Sequence, residues 1–396
     1  MEALKKICLF GGSFDPIHKR HVQMAIDAQK QFSFEKIIFI PTNNPPHKKR
    51  DLTSISHRIR MIELAICNYR YMEVSNIEAY RSNNAYTYDT VQYFRRKYPG
   101  AEIYCIIGED SLAYLDSWYK AKELLQLVKF VVCSRFGDFS KKAIELTEQG
   151  AKVYSLTTKA LDISSTQIRN DIGQGIESSS LDIPVLEYIY CCNLYSAKIL
   201  PPIFIEYVLK LSTLINQKRL AHSLSVAYTA RKLACIHGLD EILASTAGLL
   251  HDCAKAMPIA TMQEIANNNH LLLDTGTFNT SLIHAPIGAE IVKHFFGVDN
   301  TDVYEAVAYH TTGMPGMSEL SKCVFLADKI EPTRSAYAML NEIREFAKID
   351  LTKAMLLSIK STKDYLQTLN KTLHVNTIRL LETIESKVKK GNENGR

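Results

Sequence analysis

From Lys5 to about Tyr195, short β-rich apolar runs alternate with amphipathic stretches of helical period. KICLF is followed by HVQMAIDAQKQF, EKIIFI by HRIRMIELAIC, and YMEVSNI by TYDTVQYFRRKYP. EIYCIIG, KELLQL, KFVVCS and VYSL continue the alternation, and two helices close it. Strands separated by helices imply a parallel sheet covered on both faces, so the first half is expected to be doubly wound α/β. Beyond Tyr195 the strand pattern stops. Pro201 and Pro202 break any helix, and FIEYVLKLSTLI, SLSVAYTARKLACIH, EILASTAGLLHD and PIGAEIVKHFFG all read at helical period. An all-α second half is expected, with the boundary between Ser196 and Pro202 and domains of residues 1–198 and 199–396. The charged, glycine-bearing tail ESKVKKGNENGR is expected to fray.

Composition adds few constraints. The 396 residues exceed one ordinary core, and 46% hydrophobic with 22% charged residues excludes a mostly disordered or fibrous chain. A net charge of +5, from 47 Lys and Arg against 42 Asp and Glu, calls for no nucleic-acid surface and suits phosphorylated small molecules. Nine Cys without a CxxC pair argue against a zinc ribbon or a disulfide framework and for a reducing compartment. The apolar run in MEALKKICLFGG is too short for a signal segment, and no stretch reaches membrane-spanning length. A cytoplasmic protein with neither nucleic-acid nor membrane partners is expected; a homo-oligomer is left open.

The strand KICLF runs into GGSFDPIHKRH, placing Gly11 and Gly12 at the carboxyl end, where open α/β sheets bind ligands. Glycine lets backbone approach a phosphate without Cβ interference. His18 and His21, three apart at the start of the next helix, project on one face near its positive end and make an anion site. A glycine turn with two incidental surface His is the plainer reading of the same residues. Further along, ISSTQIR carries Ser164, Ser165, Thr166 and Arg169, read locally as a serine-threonine helix cap that presents Arg169 to a phosphate.

These two motifs, about 140 residues apart, resemble the nucleotidylyltransferase superfamily. Within it the chain is similar to the nicotinate mononucleotide adenylyltransferases, with Ser13 where threonine is usual and Arg20 where glycine is usual. PTNNPPHK, TYDTV, GEDS, Trp118, Ser134 with Arg135, and PVLEYIYCCNLY extend the resemblance over residues 5–195. It implies that the acceptor's phosphate oxygen attacks the α-phosphorus of ATP and pyrophosphate leaves, work done by alignment and charge neutralisation. It also implies roles. His18, His21, Lys48 and Arg169 would act on the triphosphate. Gly11, Gly12, Ser13, Phe14, Gly108, Asp110, Ser134, Arg135, Ser164, Ser165 and Thr166 would line the nucleotide. Asp15, His47, Thr87, Trp118 and Tyr119 would lie by the acceptor, Asp15 also holding the turn and Trp118 giving the pyridine ring a platform. Mg2+ would accompany ATP.

Eight of the twelve His lie beyond residue 203. His222 in AHSLSV, His251 and Asp252 in GLLHDCAK, His284 in IHAPIGA, His310 in YHTTG and Asp328 in FLADKIEPTR form an ordered set of imidazoles and carboxylates on helices, as a bundle needs to hold a metal. His237, His270, His294 and His374 read as ordinary helical residues. The set resembles the HD superfamily of metal-dependent phosphohydrolases, and within it the bacterial proteins that split diadenosine tetraphosphate symmetrically into two ADP. That resemblance implies His222, His251, Asp252 and Asp328 on one metal, with iron favoured. His284 and His310 would hold a second metal or a phosphate, and Lys255 and Arg334 outer phosphates. The alternatives are adenylylation of nicotinamide mononucleotide or another phosphorylated acceptor, and a second domain that acts on other nucleotides or only regulates.

Overall fold

The computed structural model describes residues 5–43, 52–79, 86–133, 141–158, 163–271 and 280–393. Met1–Leu186 with Leu194–Ala197 form one compact unit, and Glu187–Asn193 with Lys198–Arg396 form a second.

In the first unit the apolar runs become six parallel strands: β1 (Lys6–Gly12), β2 (Lys36–Pro41), β3 (Met72–Val74), β4 (Glu102–Gly108), β5 (Lys129–Cys133) and β6 (Lys152–Leu156). Their order is β3-β2-β1-β4-β5-β6, so the chain winds outward from β1 in one direction and then from β4 in the other. Ile7 to Phe10 of β1 and Ile103 to Ile107 of β4 are buried without alternation, as in a sheet covered on both faces. Helices α1 (Lys19–Phe32), α2 (Ile55–Ile66), α3 (Thr87–Lys97), α4 (Glu109–Ala113), α5 (Ala121–Leu127), α6 (Lys141–Glu148) and α7 (Ser165–Gly173) complete the winding, and the residues of α8 (Ile183–Cys191) are shared between the first unit and the second. The order reverses between β1 and β4, and such a switch point opens a crevice beyond the strand ends. Two residues past the paired Phe10 and Ile106 come Gly12 and Gly108, at its mouth.

Among its described residues the regular elements of the second unit, after the end of α8, are the helices α9 (Ile203–Leu214), α10 (Gln217–Ile236), α11 (Glu241–Leu250), α12 (Ile259–Asn268), α13 (Thr280–His294), α14 (Thr301–Tyr309), α15 (Glu319–Ile330), α16 (Leu340–Ala347), α17 (Leu351–Thr368) and α18 (Val375–Glu393). Asn216, Asp240, Asn300, Ser318 and Asp350 each cap the following helix with a side-chain oxygen. A Cβ on Gly248 would stand 2.9 Å from Ala227 Cα, so α10 and α11 pack at a separation only glycine permits. No helix of the described residues is long and apolar enough to cross a membrane.

Three local expectations change. Helices α4 and α6 are additional to the sequence pattern. The tail read as frayed is helical to Glu393, because Leu380, Leu381 and Ile384 anchor α18 in the core formed with α15, α16 and α17.

Within the second unit, Arg231 on α10 donates to Glu187 at 2.7 Å, both side chains buried, with the guanidinium near the rings of Tyr190 and Tyr228. Removing one member of such a pair strands the other charge, at a cost of about 3–5 kcal/mol. Glu187→Ala is therefore expected to destabilise this unit by that amount, read by far-UV circular dichroism in urea. Trp118, the single tryptophan, reports the other unit and keeps its own midpoint.

Candidate functional sites

The first site is built around the turn after β1. Among the described residues nothing stands within 4 Å of a Cβ placed on exposed Gly11, whereas one on Gly12 would meet the Phe14 ring at 3.0 Å. Phe14 sits in the left-handed region (φ 45°), buried, with its ring edge-on to Phe10 at 5.4 Å and to His21 at 5.0 Å. That packing fixes the face on which His21 stands. His18 is the N-cap of α1, its backbone N–H donates to His21 Nδ1 at 3.3 Å, and the two rings stack at 3.7 Å. Burial, and then the Arg20 charge, push the His18 imidazole down to about 4, so it is neutral at pH 7. Its Nδ1 is buried without a hydrogen-bond partner among the described residues.

The distant ISSTQIR motif folds back onto the same turn. Ser165 donates to Pro16 O at 3.1 Å, and Arg169 donates to Asp15 O at 2.7 Å and to Thr166 Oγ1 at 3.1 Å. Ser164 stands at the N-cap of α7 but makes no side-chain capping bond, which corrects the expected serine cap. Asp15 is fully buried, its carboxylate accepting from the Tyr195 hydroxyl at 2.8 Å, a placement that holds the turn. Ser13 is anchored through its carbonyl by a residue the sequence did not single out. Arg58, 1% exposed, donates to Ser13 O at 2.8 Å, to Thr42 O at 2.9 Å and to Thr53 O at 2.8 Å, tying the ends of β1 and β2.

On the other side of the crevice, Gly108 is the N-cap of α4, with Asp110 exposed in its first turn. Thr87 opens α3, and its neighbour Tyr86 lies against Tyr119 at 4.6 Å. Lys120 Nζ sits 4.7 Å from the Tyr88 ring and 5.4 Å from that of Tyr119. Trp118 is half-buried, packed on the core beneath. His47, Lys48, Ser134 and Arg135 lie outside the described residues.

The second site draws side chains from five helices. His222 comes from α10, His251 and Asp252 from the end of α11, His284 from α13, His310 from the end of α14 and Asp328 from α15. Two groups, His222 with His251 and Asp328, and His251 with Asp252 and His310, have ligand atoms within 4.8 Å of one another. Three imidazoles are oriented alike. His251 Nδ1 lies 2.7 Å from Gly248 O, His310 Nδ1 2.8 Å from Val307 O, and His222 Nδ1 3.2 Å from Glu331 Oε1. His251 and His310 therefore donate through Nδ1 and turn an Nε2 lone pair inward, the tautomer a metal ligand needs. His222 also has its Nε2 3.1 Å from Asp328, and against burial Asp328 and Glu331 raise its pKa. His251 Nε2 is fully buried with no hydrogen-bond partner among the described residues, 3.5 Å from Asp252 and 3.7 Å from Asp328. An orphaned lone pair facing two carboxylates fits a cation between them.

Charge in this cluster is concentrated. Burial alone would raise the Asp252 carboxyl, but His251, His284 and His310 around it hold it far below the usual carboxylate range. Asp328 is likewise held down against burial, by Lys329, His222, His251 and Arg334. His284 Nε2 lies 3.0 Å from Asp252 and both its ring nitrogens 3.2 Å from Lys255 Nζ; Arg334 donates to Asp328 at 2.6 Å.

Residues 9–171 match the Cytidylyltransferase-like family and residues 219–333 the HD domain. The chain is 31% identical over 365 residues to a Mycoplasma pneumoniae protein named probable nicotinate-nucleotide adenylyltransferase/Ap4A hydrolase, covering 92% of this chain and 99% of that one. The chain belongs to that family. A Clostridium botulinum protein named probable nicotinate-nucleotide adenylyltransferase is 37% identical over 195 residues, 47% of this chain and 97% of its own. A crystal structure of a predicted HD superfamily hydrolase involved in NAD metabolism from Clostridium acetobutylicum shares 37% identity, with TM-score 0.45, covering 46% of this chain and 97% of that one.

Other members of the second cluster were not legible as such. Glu331, buried, orients His222 and accepts from Thr333 N–H at 2.6 Å; Arg219 donates to Asp252 at 2.7 Å; Lys329 pairs with Asp328 at 2.9 Å. All three lie within a few residues of a named ligand, which was the available signal.

Proposed function

We propose that the first unit adenylylates nicotinate mononucleotide with ATP, giving deamido-NAD and pyrophosphate. The second unit, on the same reading, hydrolyses dinucleoside polyphosphates such as diadenosine tetraphosphate to ADP. The observation that carries the first half is the convergence of Ser165 and Arg169 on the turn that bears His18 and His21. Gly11 leaves backbone open to a phosphate, neutral His18 donates a hydrogen bond rather than a charge, and Arg169 with Lys48 supplies the cations. Gly12, Ser13, Phe14, Gly108, Asp110, Ser134, Arg135, Ser164 and Thr166 frame the nucleotide, and Thr87, Tyr119, Trp118 and His47 the pyridine ring. Mg2+, when bound with ATP, neutralises the leaving polyphosphate.

In the second unit His222, His251, Asp252 and Asp328 would hold one metal, and His284 with His310 a second metal or a phosphate. Iron suits the mixed imidazole and carboxylate donors, and supplies Lewis acidity and acidified water when bound. Arg219, Lys255, Lys329 and Arg334 ring the cluster and neutralise substrate phosphates. Nine free cysteines suit a cytoplasmic setting.

The test is a product analysis by mass. The full chain with ATP, Mg2+ and nicotinate mononucleotide should yield deamido-NAD and pyrophosphate, faster than with nicotinamide mononucleotide or phosphopantetheine. With Fe2+ and diadenosine tetraphosphate it should yield ADP alone; AMP with ATP would contradict symmetrical cleavage.

A further inference from the structure

Tyr195 stands on the backbone just after α8 and is none of the residues assigned to the triphosphate, the nucleotide or the acceptor. It lies in the left-handed region (φ 56°, ψ 29°), as do its non-glycine neighbours Asn193, Ser196 and Lys198. For an aromatic residue that conformation costs about 1–2 kcal/mol, and it persists only where the surroundings impose it. Two contacts do so. The hydroxyl donates to the buried carboxylate of Asp15 at 2.8 Å. Burial, with the Asp15 charge beside it, holds this phenol far above its ordinary range, so it stays a donor. The Tyr195 carbonyl oxygen lies 3.3 Å from where a Cβ on Gly173 would stand, and Gly173 is the last residue of α7.

Tyr195 thus touches both parts that must meet. Its hydroxyl holds the turn bearing His18, through the residue whose own carbonyl receives Arg169 at 2.7 Å. Its backbone abuts the far end of the helix that carries Ser165, Thr166 and Arg169. Without this brace, the residue whose carbonyl receives the guanidinium loses the Tyr195 bond to its carboxylate.

We propose that Tyr195 is a positioning residue for adenylyl transfer, bracing the Asp15 turn against α7 so that Arg169 presents its guanidinium to the triphosphate in one orientation. This rests on the transferase reading above. The effect falls on alignment in the transition state more than on affinity, and misplacement on the scale of 1 Å is worth up to about 100-fold.

In the full chain, Tyr195→Phe is expected to lower kcat about 10- to 100-fold, with KM for ATP and for nicotinate mononucleotide changed less than about threefold. A simple loss of folded protein would mimic that split, so the deciding measurement is a double-mutant cycle on the residual turnover of Arg169→Lys. There Tyr195→Phe should cost less than about threefold, because the cation it aims is already misplaced. If Tyr195→Phe does not fold, Gly173→Ala, which presses on the same carbonyl, should show the same loss and the same disappearance in the Arg169→Lys background. Equal losses in both backgrounds, or a kcat within twofold of wild type, would overturn the inference. A wild-type chain that releases no pyrophosphate from ATP and nicotinate mononucleotide overturns the transferase reading and this inference together; normal wild-type turnover with an indifferent Tyr195→Phe overturns this inference alone.

Discussion

His251→Ala is expected to abolish metal retention and dinucleoside polyphosphate hydrolysis while leaving adenylyl transfer at its wild-type rate. His251 belongs to both candidate ligand groups, and its Nε2 is the buried lone pair that nothing else in the cluster satisfies. Alanine removes an imidazole that, like His222, faces Asp252 and Asp328 together. The lost charge stabilisation is worth several kcal/mol, so turnover should fall about 1000-fold or more. Glu331→Gln supplies the contrast. Of the candidate ligands it touches His222, by 3.2 Å at Nδ1, and loss of an orienting partner typically costs 10- to 100-fold. Metal content per chain, measured after desalting, should drop to background for His251→Ala and only partly for Glu331→Gln. A His251→Ala chain that keeps its metal would remove the cluster from the hydrolytic reading.

The graded difference between those variants mirrors what the sequence could and could not disclose. His222, His251, Asp252, His284, His310 and Asp328 were legible because metal binding demands those residue types, in an order that survives any detail of packing. Glu331, Arg58 and Tyr195 were not, because what they do depends on which group tertiary folding brings opposite. Arg58 shares an amphipathic helix with Arg60, and no pattern within HRIRMIELAIC tells the guanidinium buried under the Ser13 turn from the one paired with Glu63 at the surface. The sheet was readable from KICLF, EKIIFI, EIYCIIG and KFVVCS because strands buried on both faces must be apolar at nearly every position. Helix α6 escaped because KKAIELTE buries only Ala143 and Leu146, too few to give a period. The frayed-tail expectation weighed the charges of ESKVKK and missed that the turns just before them are held in a core.

His18→Gln should separate two consequences of one buried imidazole. Its low pKa of about 4 means the folded chain declines a proton that the unfolded chain, with an ordinary histidine near 6.5, accepts. The sign follows: between about pH 4 and 6.5 the unfolded state binds more protons, so wild-type stability is fully present above 6.5 and is lost as the pH falls through that window. At pH 5 the loss from this group is about 2 kcal/mol, and glutamine, which does not titrate, is spared it. Relative to wild type, the variant should therefore gain about 2 kcal/mol between pH 8 and pH 5, measured by chemical denaturation at each pH with Trp118 as the reporter. Catalysis should move the other way, kcat falling about 100- to 1000-fold at pH 7.5, the usual worth of one donor aimed at developing charge. A variant that keeps wild-type kcat would show that the stacked imidazoles only pack the turn, whereas an unchanged pH dependence of stability would place His18 in contact with solvent. Only an imidazole both buried and aimed at the substrate yields the two shifts in opposite directions.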